Sequence, residues 1–161
     1  MERDPGRRTS ATLEDEPLGE LRVLVVDDEP TVRALLRAVV SRDPRFEVVG
    51  EAVDGEQAIS LAEELQPDVV LLDLIMPRLG GREALPDILR VSPRSMVLVL
   101  SALSGVDEAE STFAAGAFAY LEKSVMGPGL TSEVESLYRR FRRALQGETV
   151  WARDDALRIR R

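Results

Sequence analysis

Four places in the chain set a polar side chain at the end of an apolar run. Leu21 to Val26 lead into Asp27 and Asp28, and Val69 to Leu72 lead into Asp73. Met96 to Leu100 lead into Ser101, and Ala117 to Leu121 are followed, after Glu122, by Lys123. Three carboxylates, a hydroxyl and an ammonium gathered in one place have a definite chemistry. Carboxylates in close quarters raise one another's pKa. A hard divalent cation relieves this, and Mg2+ suits it, being bound by oxygen through one or two carboxylates plus phosphate oxygens. Asp73 is then an oxygen nucleophile towards phosphorus. Lys123 offers the phosphoryl group a point charge, and Ser101 offers a hydrogen bond. Phosphoryl transfer asks mainly for positioning and charge neutralisation. There is no Gly-rich nucleotide cradle and no histidine, so the phosphoryl donor must arrive already activated.

Each residue alone has a plainer explanation. Asp27 and Asp28 could cap a helix, Ser101 could serve a turn, and Lys123 could be a solvated surface charge. What distinguishes them is their joint position. In an open parallel sheet, ligands bind beyond the carboxyl ends of the strands.

The elements that must place these residues are readable in order. Strands are expected at Leu21–Val26, Phe46–Glu51, Val69–Leu72, Met96–Leu100 and Ala117–Leu121. The Val69–Leu72 run is apolar on both faces, as in a strand buried on both sides. Helical periodicity fills the intervals. Val32, Leu35, Leu36, Val39 and Val40 share one helical face, and Pro30 suits a first turn. Ala58, Ile59, Ala62 and Leu65 mark a second helix; Ala84, Leu85, Ile88 and Leu89 mark a third, in which Pro86 predicts a kink or a late start. Asp107 to Ala115 form a short fourth helix ended by Gly116. Val134, Leu137, Tyr138, Phe141 and Leu145 line a last helix, made basic by Arg139, Arg140, Arg142 and Arg143. Five successive βα units predict an α/β fold with a parallel sheet.

Composition narrows the function. Among 161 residues there are no cysteines and no histidines, which removes disulfides, thiolate chemistry, His-based triads and His-ligated zinc. A net charge of −8 argues against direct nucleic-acid binding. No apolar run approaches the ~20 residues that span a bilayer, and the first ten residues lack the apolar core of a signal peptide. A soluble cytoplasmic protein is expected. Residues 1–20 read as a disordered arm, 21–146 as the folded domain, and 147–161 as a tail with Trp151, Leu157 and Ile159.

Val26-Asp27-Asp28-Glu29, Asp73-Leu74-Ile75-Met76-Pro77 with Gly81, Leu100-Ser101-Ala102 and Ala119-Tyr120-Leu121-Glu122-Lys123 occur in that order. Together they resemble the receiver domain of two-component response regulators, over roughly Arg22 to Leu145. Val48 to Gly55 look most like receivers of LuxR-type regulators. The resemblance implies a flavodoxin-like, doubly wound five-stranded sheet in the order 2-1-3-4-5. It implies that Asp73 is the phosphoacceptor for a histidine kinase or histidine phosphotransfer protein. Asp27, Asp28, Asp73 and the backbone carbonyl of Ile75 would hold Mg2+. Ser101 and Lys123 would bind the phosphoryl group, and Ser101 and Tyr120 would form a switch. That switch would alter the face made by the fourth helix, fifth strand and fifth helix, which would bind a downstream protein or a second copy. The protein would be no enzyme beyond its own phosphorylation and dephosphorylation.

Two departures from the family pattern carry expectations. Ser124 stands where a proline, often cis, usually follows the lysine, which predicts a trans bond in a rearranged loop. Ile75 and Leu103 occupy the positions that govern water access, which predicts slow self-dephosphorylation. The stretch after Lys123 is too short for a helix-turn-helix output domain. The expectation is a stand-alone receiver; a phosphate-independent pseudo-receiver and the receiver part of a longer DNA-binding regulator are the alternatives.

Overall fold

The computed structural model describes residues 16–102 and 106–147. The order is β1 (Leu21–Val26), α1 (Pro30–Ser41), β2 (Phe46–Ala52), α2 (Gly55–Leu65), β3 (Val69–Leu72) and α3 (Gly81–Val91), then β4 (Met96–Ser101), α4 (Val106–Ala114), β5 (Ala119–Glu122) and α5 (Leu130–Leu145). A 3-10 turn spans Lys123–Val125 between β5 and α5. All neighbouring strands are parallel, in the order β2-β1-β3-β4-β5. This is the doubly wound order that the resemblance implied.

Alternation along the strands sorts the apolar side chains into two cores. Val23, Val25, Leu71, Leu98 and Leu121 face α1 and α5, meeting Leu36, Val40, Val134 and Leu137. Leu24, Val26, Val70, Leu72, Val97 and Val99 face α2 and α3, meeting Ala58, Ala62, Leu85 and Ile88. Every side chain of β3 is buried, because this central strand has a helical layer on each side. On β3 only the strand's end remains for a polar side chain.

β2 carries an irregularity that a period-two reading misses. Val23 pairs with Val48 but Leu24 pairs with Gly50, so Val49 is an extra residue in the ladder. Phe46 and Val48 join the core under α1, whereas Ala52 joins the core under α2. The bulge exchanges the two faces of the strand halfway along.

Pro86 does not interrupt α3, which runs unbroken from Gly81. The proline lies on the exposed side while Ala84, Leu85 and Ile88 are fully buried, so its ring meets solvent and the apolar face decides. β5 starts two residues later than expected. Gly116, at φ 109°, is still turning the chain, and Phe118 makes the first ladder bond, to the Val97 carbonyl at 2.9 Å. Of the N-terminal arm, residues 16–20 are described: Leu18 packs against the core and the Glu16 carbonyl accepts from Arg139 at 3.0 Å. The tail with Trp151 lies outside the described residues. Among the described residues, no helix is long and apolar enough to cross a membrane.

Gly81 seats α3 against the end of β3. Its amide donates to the Leu74 carbonyl at 3.0 Å, and a Cβ there would lie 1.9 Å from the Asp73 carbonyl oxygen. Gly81→Ala is therefore expected to lower stability by about 1–3 kcal/mol through forced displacement of the loop after Asp73. Urea denaturation measures this, and an unchanged midpoint would show that the loop yields freely.

Candidate functional site

The site begins where β1 stops. Asp27 continues the ladder, its amide donating to the Ala52 carbonyl at 3.1 Å. Its side chain is buried, and its two oxygens have separate partners. Oδ1 accepts from the Glu29 amide at 2.9 Å, and Oδ2 accepts from Lys123 Nζ at 2.7 Å. The N-cap position of α1 belongs to Glu29, with no side-chain cap bond, so Asp28 is not spent on the helix. Arg33, one turn into α1, donates to the Asp27 carbonyl at 2.8 Å. Glu51 of β2 lies 3.7 Å from Arg33 and is also ion-paired with Arg37.

Asp73 ends β3 in the same way, its amide donating to the Val26 carbonyl at 2.9 Å. One carboxylate oxygen from each of Asp27, Asp28 and Asp73 lies within 4.8 Å of the others. Asp73 is 5% exposed, and burial, followed by the charge of Asp27, raises its pKa from 3.8 to about 6. Lys123 and the Ile75 backbone amide pull the other way. Lys123 Nζ is 3.5 Å from Asp73. Burial alone would lower the lysine's pKa, but its hydrogen bond to Asp27 and the charges of Asp73 and Asp27 outweigh this and raise it.

The loop at Ser124 is consistent with the sequence expectation in one respect: there is no cis peptide bond among the described residues. The chain turns as a 3-10 segment starting at Lys123 itself, and the lysine still reaches both carboxylates. Ser101 closes β4, is buried, and pairs across the ladder with Glu122. Tyr120 pairs with Val99, is 5% exposed, and lies in the core under α2 and α3. Ile75 is 61% exposed, so most of its side chain meets solvent. Leu103 lies outside the described residues.

Three contributors act through contacts that reading along the chain does not show. Arg33 braces the Asp27 backbone, Asp54 holds Arg78 in the loop after Asp73, and Gly81 fits where nothing larger would. Arg33 and Arg78 resemble any surface arginine in sequence; only the Gly81 spacing carried a signal, read as turn and packing chemistry.

The profile of the response regulator receiver domain matches residues 23–135. The chain belongs to that family. A receiver of this family is the phosphoacceptor component of two-component signalling. The chain is 42% identical over 118 residues to a protein-glutamate methylesterase/protein-glutamine glutaminase of Myxococcus xanthus, an overlap of 71% of this chain and 32% of that protein. It is 38% identical over 128 residues to the transcriptional regulatory protein LiaR of Bacillus subtilis, covering 80% and 57%. Among solved structures, a LuxR-family response regulator from Aurantimonas superimposes with a TM-score of 0.71 at 32% identity, covering 88% of this chain and 96% of that one. The receiver thus spans about a third of the methylesterase relatives and just over half of LiaR.

The Asp73 shift has a signed consequence. Its folded pKa lies above its ordinary value, so between 3.8 and about 6 the native state binds more protons than the unfolded chain. Stability therefore falls as pH rises through that window and levels off above it. In metal-free protein, Asp73→Asn is expected to be more stable than the parent above this window by about 3 kcal/mol, with no difference below it. Urea midpoints followed across pH measure it, and a pH-independent difference would contradict it.

Proposed function

We propose that Asp73 accepts a phosphoryl group from the phosphohistidine of a histidine kinase or histidine phosphotransfer protein, and that this switches a protein-interaction surface. The observation that carries the reading is the Lys123 ammonium set between two buried carboxylates, 2.7 Å from Asp27 and 3.5 Å from Asp73. One ammonium against three carboxylates leaves the site negative. The set is all oxygen donors within 4.8 Å, which fits a hard divalent cation of the Mg2+ class. Asp27, Asp28 and Asp73 would hold Mg2+, with the Ile75 carbonyl. When bound, it supplies charge neutralisation to the carboxylates and the phosphoryl oxygens.

The chain's own residues do the rest. An Asp73 oxygen attacks phosphorus; the new P–O bond forms as the P–N bond to the donor imidazole breaks. Lys123 and Ser101 hold the phosphoryl oxygens, one by charge and one by a hydrogen bond. Ser101 ends β4 and Tyr120 lies on the adjacent strand opposite Val99, two residues back along β4, so a shift of Ser101 towards the phosphoryl group is coupled to the tyrosine's packing. The surface of α4, β5 and α5 reads out that shift as a change in population. A downstream protein or a second copy of the chain binds there. The protein acts in the cytoplasm as a signalling component, without a substrate other than its own Asp73. Its net charge of −8 disfavours direct contact with nucleic acid.

Acetyl phosphate or phosphoramidate with Mg2+ is expected to add one phosphoryl group, seen by intact mass. Asp73→Asn is expected to add none; retained labelling would move the site elsewhere. Positions 75 and 103 are Ile and Leu, neither of which can hydrogen-bond an attacking water, so the acyl phosphate of the isolated protein is expected to last minutes or longer, and decay within seconds would contradict this.

A further inference from the structure

The loop from Leu74 to Gly80 follows the phosphoacceptor and carries the Ile75 carbonyl. It is held to the start of α2 as well as to α3. Asp54 occupies the N-cap position of α2, and its two oxygens have different tasks. Oδ1 accepts from the Gln57 amide at 2.9 Å, and Oδ2 accepts from Arg78 Nε at 2.8 Å and also from Nη2. The Gln57 amide first, and Arg78 after it, hold the Asp54 carboxyl below the usual carboxylate range. The Gly55 amide donates to the Leu79 carbonyl at 2.7 Å, and a Cβ on Gly55 would lie 2.6 Å from that oxygen. Arg78 itself sits at φ 63°, a left-handed conformation that favours glycine.

An arginine in a glycine's conformation needs a reason. Its side chain is 65% exposed while that of Asp54 is 7% exposed, and an ion pair with one solvated partner adds little to global stability. What the pair does is fix where the loop lies. We propose that Asp54 and Arg78 form a clamp that positions the phosphoacceptor loop, and through it the Ile75 backbone, against Asp73. Asp54 is thus a positioning residue for the metal and phosphoryl site while standing outside it. The inference rests on the phosphoacceptor reading of Asp73.

Two variants of the full chain separate the clamp from the helix cap. Asp54→Asn keeps an oxygen for the Gln57 amide but loses the charge that holds Arg78. Arg78→Gly leaves the cap intact and suits the left-handed backbone. Both are expected to speed amide hydrogen exchange across residues 74–80 in metal-free protein. Both are expected to weaken Mg2+ binding, measured by calorimetry, by about tenfold, the usual scale for partners behind a metal ligand. The double variant is expected to be no worse than either alone, since both break one interaction. Unchanged exchange and Mg2+ affinity in both variants would overturn the clamp. A loss in Asp54→Asn that Arg78→Gly does not share would assign the effect to the cap and also overturn it. Failure of the parent protein to label with acetyl phosphate would instead sink the phosphoacceptor reading, while the metal-free exchange result still judges the clamp.

Discussion

Everything at the working end of this receiver follows from placing three carboxylates and one ammonium at the rim of a sheet buried on both faces. Asp27 and Asp73 are almost fully withdrawn from water, where an unpaired charge is costly. Lys123 answers from the far side. It leaves β5, while Asp27 leaves β1, with β3 and β4 between them. Only a long side chain bridges that span, and the main chain must deliver it at the right height. The 3-10 turn starting at Lys123 does so without the proline that the family pattern leads one to expect.

The fold and much of this constellation are legible in the sequence, for a common reason. A parallel sheet makes its strands apolar throughout, so polar residues at strand ends stand out against Val69–Leu72 or Met96–Leu100. Periodicity then supplies the helices, and the order of elements supplies the topology. The joint placement of Asp27, Asp73, Ser101 and Lys123 is visible because it depends on chain order alone.

What the sequence conceals depends on geometry between distant segments. Arg33 with Glu51, and Asp54 with Arg78, are ordinary charged residues in the linear chain; their meaning is a contact. The late start expected from Pro86 did not occur, because a local penalty was weighed without the fully buried face opposite it. Ile75 was read as a shield from its type and position, yet its direction is a property of the loop. These residues form a supporting layer: Arg33 braces the Asp27 backbone, and Asp54 restrains the loop behind Asp73.

The extra residue in β2 gives that layer its handedness. Because Val49 shifts the alternation, Glu51 emerges on the side of α1, where Arg33 and Arg37 meet it; in an unbroken ladder it would emerge on the side of α2. The brace on Asp27 is thus set by the parity of a strand that contributes no residue to the site. Relatives that gain or lose a residue in this edge strand must either compensate nearby or forgo the glutamate, so length variation at β2 and the identity of position 51 should evolve together rather than independently.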